Sequence, residues 1–331
     1  MKKAGGCTMQ ELSAKMIERA KALLAAGKLQ RVVGWKKGLF DDDITPGTFR
    51  TAEELDKEFI YDKNCAANLS KYLVGITREI EVKKSTTRMN NTMAKQRDPN
   101  AQNAPIPQEV VLVFLKPADS YSFTQLLKEN RITRSDVYAI GIPCQDTLDG
   151  GQVCESCRGK KHVSCDELLG VDENADVGTN DRLEVVEKYE KMTADERNAF
   201  WKNEFSRCIR CNACRNVCPA CTCEKCVFDN NKLYTTQKVA ETSFEESLFH
   251  IIRAWHVAGR CTDCGECSRV CPQGIPLYLL NRKYIKDINE IYGEYQAGSD
   301  METKPAMLTF NAENDPETTI VYDRSKEGGE E

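Results

Sequence analysis

Two short runs of cysteine constrain this chain more than anything else in its 331 residues. Cys208, Cys211, Cys214 and Cys218 precede Pro219, and Cys261, Cys264, Cys267 and Cys271 precede Pro272, so both runs read C-x2-C-x2-C-x3-C-P. Three thiols at that spacing on a tight wrapping turn reach three corners of one iron–sulfur cubane, while nearby backbone amides point at its sulfides; the fourth cysteine lies too far along the turn. In a doubled arrangement the fourth thiol serves the neighbouring site. The spacing therefore predicts two 4Fe–4S clusters, one on Cys208, Cys211, Cys214 and Cys271 and the other on Cys261, Cys264, Cys267 and Cys218. Zinc also uses x2-spaced thiolate pairs, but four ligands satisfy it and it does not call for eight in this order.

The remaining composition agrees with metal ligation. The chain has 17 cysteines, an odd number that cannot pair completely. Met1 to Gln10 has lysines but no apolar segment behind them, so a secretory signal is not expected and a reducing cytoplasm is the predicted compartment. A net charge of -5 gives no basic face for phosphate backbones, which argues against nucleic acid as a partner. Apolar runs such as Val110 to Leu115 are too short to span a bilayer.

Periodicity divides the chain into an α/β amino-terminal domain over 1–170, a linker over 171–194, a two-cluster ferredoxin domain over 195–290 and a polar acidic tail over 291–331. Residues 9 to 29 have helical spacing, Gln30 to Val33 a short strand, Ala52 to Asp56 a short helix, Glu58 to Tyr61 a strand and Asn64 to Val74 a helix. Polar composition and prolines at 99, 105 and 107 predict a mobile loop over 83–108. Val110 to Leu115, Ser120 to Glu129 and Val137 to Ile142 form the clearest unit, βαβ with parallel strands. Helices are expected over Arg182 to Met192 and Ala194 to Phe205, and the tail is expected to be disordered or draped on a partner.

The connection from Pro219 to Arg260 is longer than in a compact βαββαβ ferredoxin. It contains Phe244, Leu248, Ile251, Ile252 and Trp255 at helical spacing, which predicts a mainly helical ferredoxin of the kind found in the iron–sulfur subunits of fumarate and heterodisulfide reductases. His250 and His256 fall on this helix, where packing or hydrogen bonding is the default role.

Further cysteines raise a third site. Cys144, Cys154, Cys157 and Cys165 follow the second βαβ strand, at the carboxyl end where α/β sheets place ligands. A third iron–sulfur cluster is the leading reading, with zinc or unligated thiols as alternatives and Cys65 as a substitute ligand. Cys221, Cys223 and Cys226 complete a cubane only where Cys65, Cys165 or a partner subunit adds a fourth ligand, with packing beneath the clusters as the alternative, and Cys7 is assigned nothing.

The runs VLVFLKPADSYSFTQLLKENRITRSDVYAIGIPC, FSRCIRCNACRNVCPACTCEKCVFD and HIIRAWHVAGRCTDCGECSRVCPQGIPLYLLNRK resemble the ferredoxin-bearing relatives of the beta subunit of deazaflavin-coenzyme-dependent hydrogenases and dehydrogenases, over most of 30 to 285. The resemblance implies an iron–sulfur subunit, more a wire than a catalyst, in an anaerobic hydrogenase, formate dehydrogenase or heterodisulfide-reductase-like complex. The members nearest the deazaflavin enzymes carry flavin, so the rival reading is a flavin-containing oxidoreductase subunit acting on a nicotinamide or deazaflavin coenzyme. No G-x-G-x-x-G follows a strand here, although that family binds flavin without it. Relatives read Lys-Gly-Cys-Asp where this chain has Lys116, Pro117, Ala118 and Asp119; a thiol is missing, and Cys165 is its candidate replacement.

Overall fold

A computed structural model of the chain describes residues 8–40, 43–144, 161–171, 181–229 and 244–305. Thr8 and Glu11 close a capping box that starts α1 (Met9–Ala25), and Leu12, Met16, Ala20 and Leu23 recur on its buried face. Among the described residues one mixed sheet runs in the order β2-β1-β3-β4-β5, from β1 (Arg31–Lys37), β2 (Ile44–Phe49), β3 (Val111–Leu115), β4 (Val137–Gly141) and β5 (Glu167–Leu168). β3 lies parallel to β1 and β4, with Val111 opposite Arg31 and Val137. All five β3 side chains are wholly buried, as a central parallel strand requires. The predicted βαβ unit is present, with α4 (Pro117–Lys128) as its crossover.

Strand β2 departs from the sequence reading. It pairs antiparallel with β1, and its Pro46 and Gly47 are tolerated because it is an edge strand. Its partner extends to Lys37, beyond the expected Gln30 to Val33. Gly34 is needed in β1, because a Cβ there would lie 2.5 Å from the Phe59 ring. The short helix is α2 (Ala52–Glu58), capped by Thr51; the expected strand after it is reduced to a bridge between Lys36 and Phe59.

The loop predicted over 83–108 is corrected for most of its length. Residues to 97 belong to α3 (Ser70–Arg97), a helix of 28 residues. Its carboxyl half has no glycine or proline, Glu79 pairs with Lys83 at i,i+4, and Lys84 reaches the buried Asp136 at 2.6 Å. The prolines stand beyond it: Asp98, preceding Pro99, is already extended. The following connection is pinned by two hydrogen bonds between the Asn91 amide and the Ala104 backbone, at 2.9 and 2.8 Å. The helix also begins later than Asn64, because Asn68 is drawn into tertiary bonds, its amide nitrogen donating to Ser122 at 2.9 Å and its backbone to Glu266 at 3.1 Å.

The carboxy-terminal part is helical: α5 (Glu184–Glu190), α6 (Ala194–Ser206), α7 (Ala213–Val217), α8 (Phe244–His256), α9 (Glu266–Arg269) and α10 (Leu277–Tyr292). No helix among the described residues is long and apolar enough to cross a membrane. The linker segment 172–180 and the tail from 306 onward lie outside the described residues.

Residues 293–305 are not loose. Tyr295 and Ala297 are buried, and Lys128 donates to the Thr303 carbonyl, so this stretch packs on α4 of the same chain. That corrects the reading of a free or partner-draped tail up to this point. Gly298 makes the close approach with φ +75°; a Cβ there would sit 2.0 Å from the Tyr121 carbonyl oxygen. Gly298→Ala is expected to destabilise the fold by about 1–3 kcal/mol, read as a lowered urea midpoint.

Candidate iron–sulfur site

The two cysteine runs fold into matched turns. In the first, Arg210 and Asn212 adopt φ 55° and 60°; in the second, Asp263 and Gly265, which occupy the same positions of the motif, adopt φ 60° and 73°. Such alternation of right- and left-handed residues turns successive N–H groups toward one concavity, the anion-binding nest used at iron–sulfur sites. The short helices α7 and α9 start directly after these turns. Arg210 N already donates to Cys208 Sγ at 3.3 Å, and Asn281 Nδ2 to Cys267 Sγ at 3.3 Å.

Cys208, Cys211 and Cys214 line one cavity together with Cys271 from the other run, and it opens to solvent. Cys218, conversely, lies among Cys261, Cys264 and Cys267, whose thiols each feel its charge. The structure thus gathers Cys208, Cys211, Cys214 and Cys271 around one cavity and places Cys218 near Cys261, Cys264 and Cys267. Among the described residues no group of three or more Cys, His, Asp or Glu side chains is drawn close enough to hold a single metal ion.

The surroundings fit a cluster. Burial pushes the thiols of Cys261, Cys264 and Cys267 up, and that of Cys214 up to about 11, so ionising these groups together needs compensating positive charge. Iron and inward-turned cations supply it. Arg253 is buried on α8; burial would lower its pKa, but the thiolates of Cys267, Cys214, Cys218 and Cys221 outweigh that and raise it. His250, beside it, is pushed down to about 3 by burial and then by Arg253 and Arg210. Its two ring nitrogens, Arg253 Nη1 and Asn281 Oδ1 are buried without a hydrogen-bond partner.

Helix α8 turns an apolar row outward. Phe244, Leu248, Ile251 and Trp255, which share a helical face, are exposed, and Phe249, His250, Arg253 and Ala254 turn inward. The physical reason lies beneath the helix, where a thiol-lined site favours N–H donors and cations over hydrocarbon. His256 is exposed. Arg253 was missed by sequence reasoning, although its place three residues after His250 puts it on the same face.

Asp263, inside the second turn, is held by the wholly buried Arg282, whose Nε meets Oδ1 at 2.9 Å and Oδ2 at 3.0 Å; Arg182 adds a contact at 3.5 Å. The second turn is also tied to the α/β part, through Ser122 to Thr262 at 2.8 Å and Asn68 to Glu266.

The other cysteines are less gathered. Cys144 is exposed after β4, Cys165 is half-buried before β5, and Cys154 and Cys157 lie outside the described residues. Burial pushes Cys165 up to about 12, and likewise Cys65, which bonds within its own loop to Ile60 and Asp62. Tyr61 feels both Cys65 and Cys144. Cys221 shares a hydrogen bond with Cys218, Cys226 contacts Arg215 and Cys223 is exposed. Among the cationic groups near the parallel strand ends, Lys116 is buried against Asp119 at 2.9 Å and over the Trp35 ring at 4.7 Å.

The fold and these paired cysteine sets define an iron–sulfur protein that holds two 4Fe–4S clusters, and residues 204–275 match the family described as "4Fe-4S dicluster domain". Two curated relatives narrow the comparison. The chain is similar to "F420-dependent formate dehydrogenase subunit beta" of Methanocaldococcus jannaschii, 31% identical over 135 residues, which is 40% of this chain and 34% of that protein. It is also similar to "F420-dependent formate dehydrogenase 1 subunit beta" of Methanococcus maripaludis, 29% identical over 140 residues, 39% of this chain and 35% of that protein. The chain therefore spans about a third of the length of these relatives.

Removing Arg282 as Arg282→Leu leaves a buried carboxylate at Asp263 with only its longer partner. A loss of roughly 3–5 kcal/mol is expected in chemical denaturation, with less iron retained after desalting. Asp119 gives a pH signature: burial, opposed by Lys116, pushes its carboxyl up to about 6 from 3.8. Its stability contribution is thus complete below the unfolded value and lost as pH rises through the folded one, so Asp119→Asn should flatten urea midpoints across that window.

Proposed function

We propose that this chain relays single electrons between redox partners as the iron–sulfur subunit of an anaerobic oxidoreductase complex in the cytoplasm. The observation that carries this reading is the crossed grouping, with Cys271 beside Cys208, Cys211 and Cys214, and Cys218 beside Cys261, Cys264 and Cys267. These eight residues are the proposed ligands of the two clusters. When bound, the clusters supply one-electron redox chemistry. The chain's own part is geometric and electrostatic: inward N–H groups, buried Arg253 and the Asp263–Arg282 pair hold a low-polarity, positively biased site.

Access differs between the two sets. Cys211 is exposed and its cavity opens outward, whereas the second turn is bonded to α4 and to the Asn68 loop. A partner can therefore approach the first set from solvent, while the second set faces the α/β part. Two adjacent redox sites with unequal access suit a relay better than a purely structural role, which one closed site would satisfy. The similarity to formate dehydrogenase beta subunits supports redox partner subunits in general, and a formate dehydrogenase, hydrogenase or heterodisulfide-reductase-like assembly is the proposed setting. The proposed organisation is an α/β domain over 1–170, a linker to 194 and the ferredoxin domain over 195–290. Cys144, Cys154, Cys157 and Cys165 are the proposed ligands of a third iron–sulfur site, at the end of β4 where α/β sheets bind ligands.

Anaerobic reconstitution with iron and sulfide counting tests both parts. Roughly 8 irons per chain are expected from two cubanes and roughly 12 with the third site. Cys271→Ser should disturb the same cluster signal as Cys208→Ser, and Cys218→Ser the same one as Cys264→Ser. Colourless, iron-free protein would sink the relay, and a Cys144→Ser, Cys157→Ser pair with an unchanged iron count would remove the third site.

A further inference from the structure

Helix α8 buries three nitrogen atoms, both of the His250 ring and Nη1 of Arg253, that have no hydrogen-bond partner among the described residues. His250 is 2% exposed, and neither Nδ1 nor Nε2 has a hydrogen-bond partner. Its ring lines the cavity of Cys208, Cys211, Cys214 and Cys271. Phe205 stacks on one face at 4.4 Å and 13°, and Phe249 meets the ring at 5.0 Å and 80°, so the position of the imidazole is fixed by packing. Arg253, one turn further along the same face, is 3% exposed with Nη1 unpartnered. Its guanidinium bonds to Cys267 and feels the charge of Cys214 and Cys218, so it faces thiols of both sets.

Neutral or charged, an imidazole carries at least one N–H, and a buried donor left without an acceptor is costly. The thiolates and sulfides of a cluster held in this cavity would be the acceptors that the His250 ring lacks among the described residues. We propose that α8 is the second coordination shell of both clusters: His250 donates its ring N–H to a sulfur of the cluster on Cys208, Cys211, Cys214 and Cys271, and Arg253 is a cation shared between the two. This rests on the dicluster reading above. A donor and a cation favour the reduced, more negative state, so each raises the potential of the cluster it touches. His250 acts on one cluster and Arg253 on both, which makes the pair inequivalent by design of a single helix face.

The test uses the full chain, reconstituted anaerobically, with iron counted before an EPR-monitored redox titration. His250→Phe keeps an aromatic ring against Phe205 and deletes the donor; it is expected to lower the midpoint of one cluster and leave the other unchanged. His250→Gln, which restores an N–H, should recover part of the shift. Arg253→Met should lower both midpoints. The unsubstituted protein gives an independent reading, since the chain has only 3 histidines: with nitrogen-15 histidine, the reduced cluster should show a weak nitrogen coupling and an exchangeable proton. Loaded protein without that coupling, or fully loaded His250→Phe with both midpoints unmoved, overturns the role of His250. Arg253→Met that moves one midpoint or neither overturns the shared cation. Unsubstituted protein that takes up no iron overturns the dicluster reading and this inference together.

Discussion

The structure depends on the expense of burying thiols side by side. Burial opposes ionising Cys261, Cys264 and Cys267, and the charge of the neighbouring Cys218 adds repulsion. Hydrocarbon packing does not relieve that repulsion. Left-handed residues at matched positions of the two turns, Arg210 with Asp263 and Asn212 with Gly265, aim backbone N–H groups inward. Arg253 adds a full positive charge from the side. The rest of the carboxy-terminal part can be read as a support for those turns.

That support reaches into the α/β part. Asn68 and Ser122, which belong to the loop before α3 and to α4, bond to Glu266 and Thr262 of the second turn. Arg260 pairs with Glu129 at the end of α4, and the stretch after α10 returns to the same helix through Lys128. Helix α4 is thus both the crossover of the parallel sheet and the surface on which the second cysteine set rests. In the first set Cys208 and Cys214 are buried while Cys211 is exposed, so the two sites differ in access to solvent although their sequences match.

The outward row on α8 follows from the same electrostatics. A helix whose inner face must offer His250 and Arg253 to a thiol-lined cavity cannot also turn Phe244, Leu248, Ile251 and Trp255 inward, and those side chains remain at the surface. Trp255 is steadied there by Tyr284 of α10, their rings 5.7 Å apart.

What the residues alone determined was local in character. Cysteine spacing carried the two clusters, because the reach of thiols on a wrapping turn is set by neighbours in sequence. A run of buried β-branched and aromatic residues, Val111 to Leu115, carried the central strand and its βαβ unit. Tertiary structure decided whatever depended on partners distant along the chain. Polar residues of α3 became helical by anchoring Lys84 on Asp136, β2 existed because β1 offered an edge, and Arg282 became a fixed partner of Asp263. The inward face of α8 was the clearest instance: hydrophobicity predicts which side chains avoid water, but only the folded cysteine sets create a buried place where an imidazole and a guanidinium are preferred.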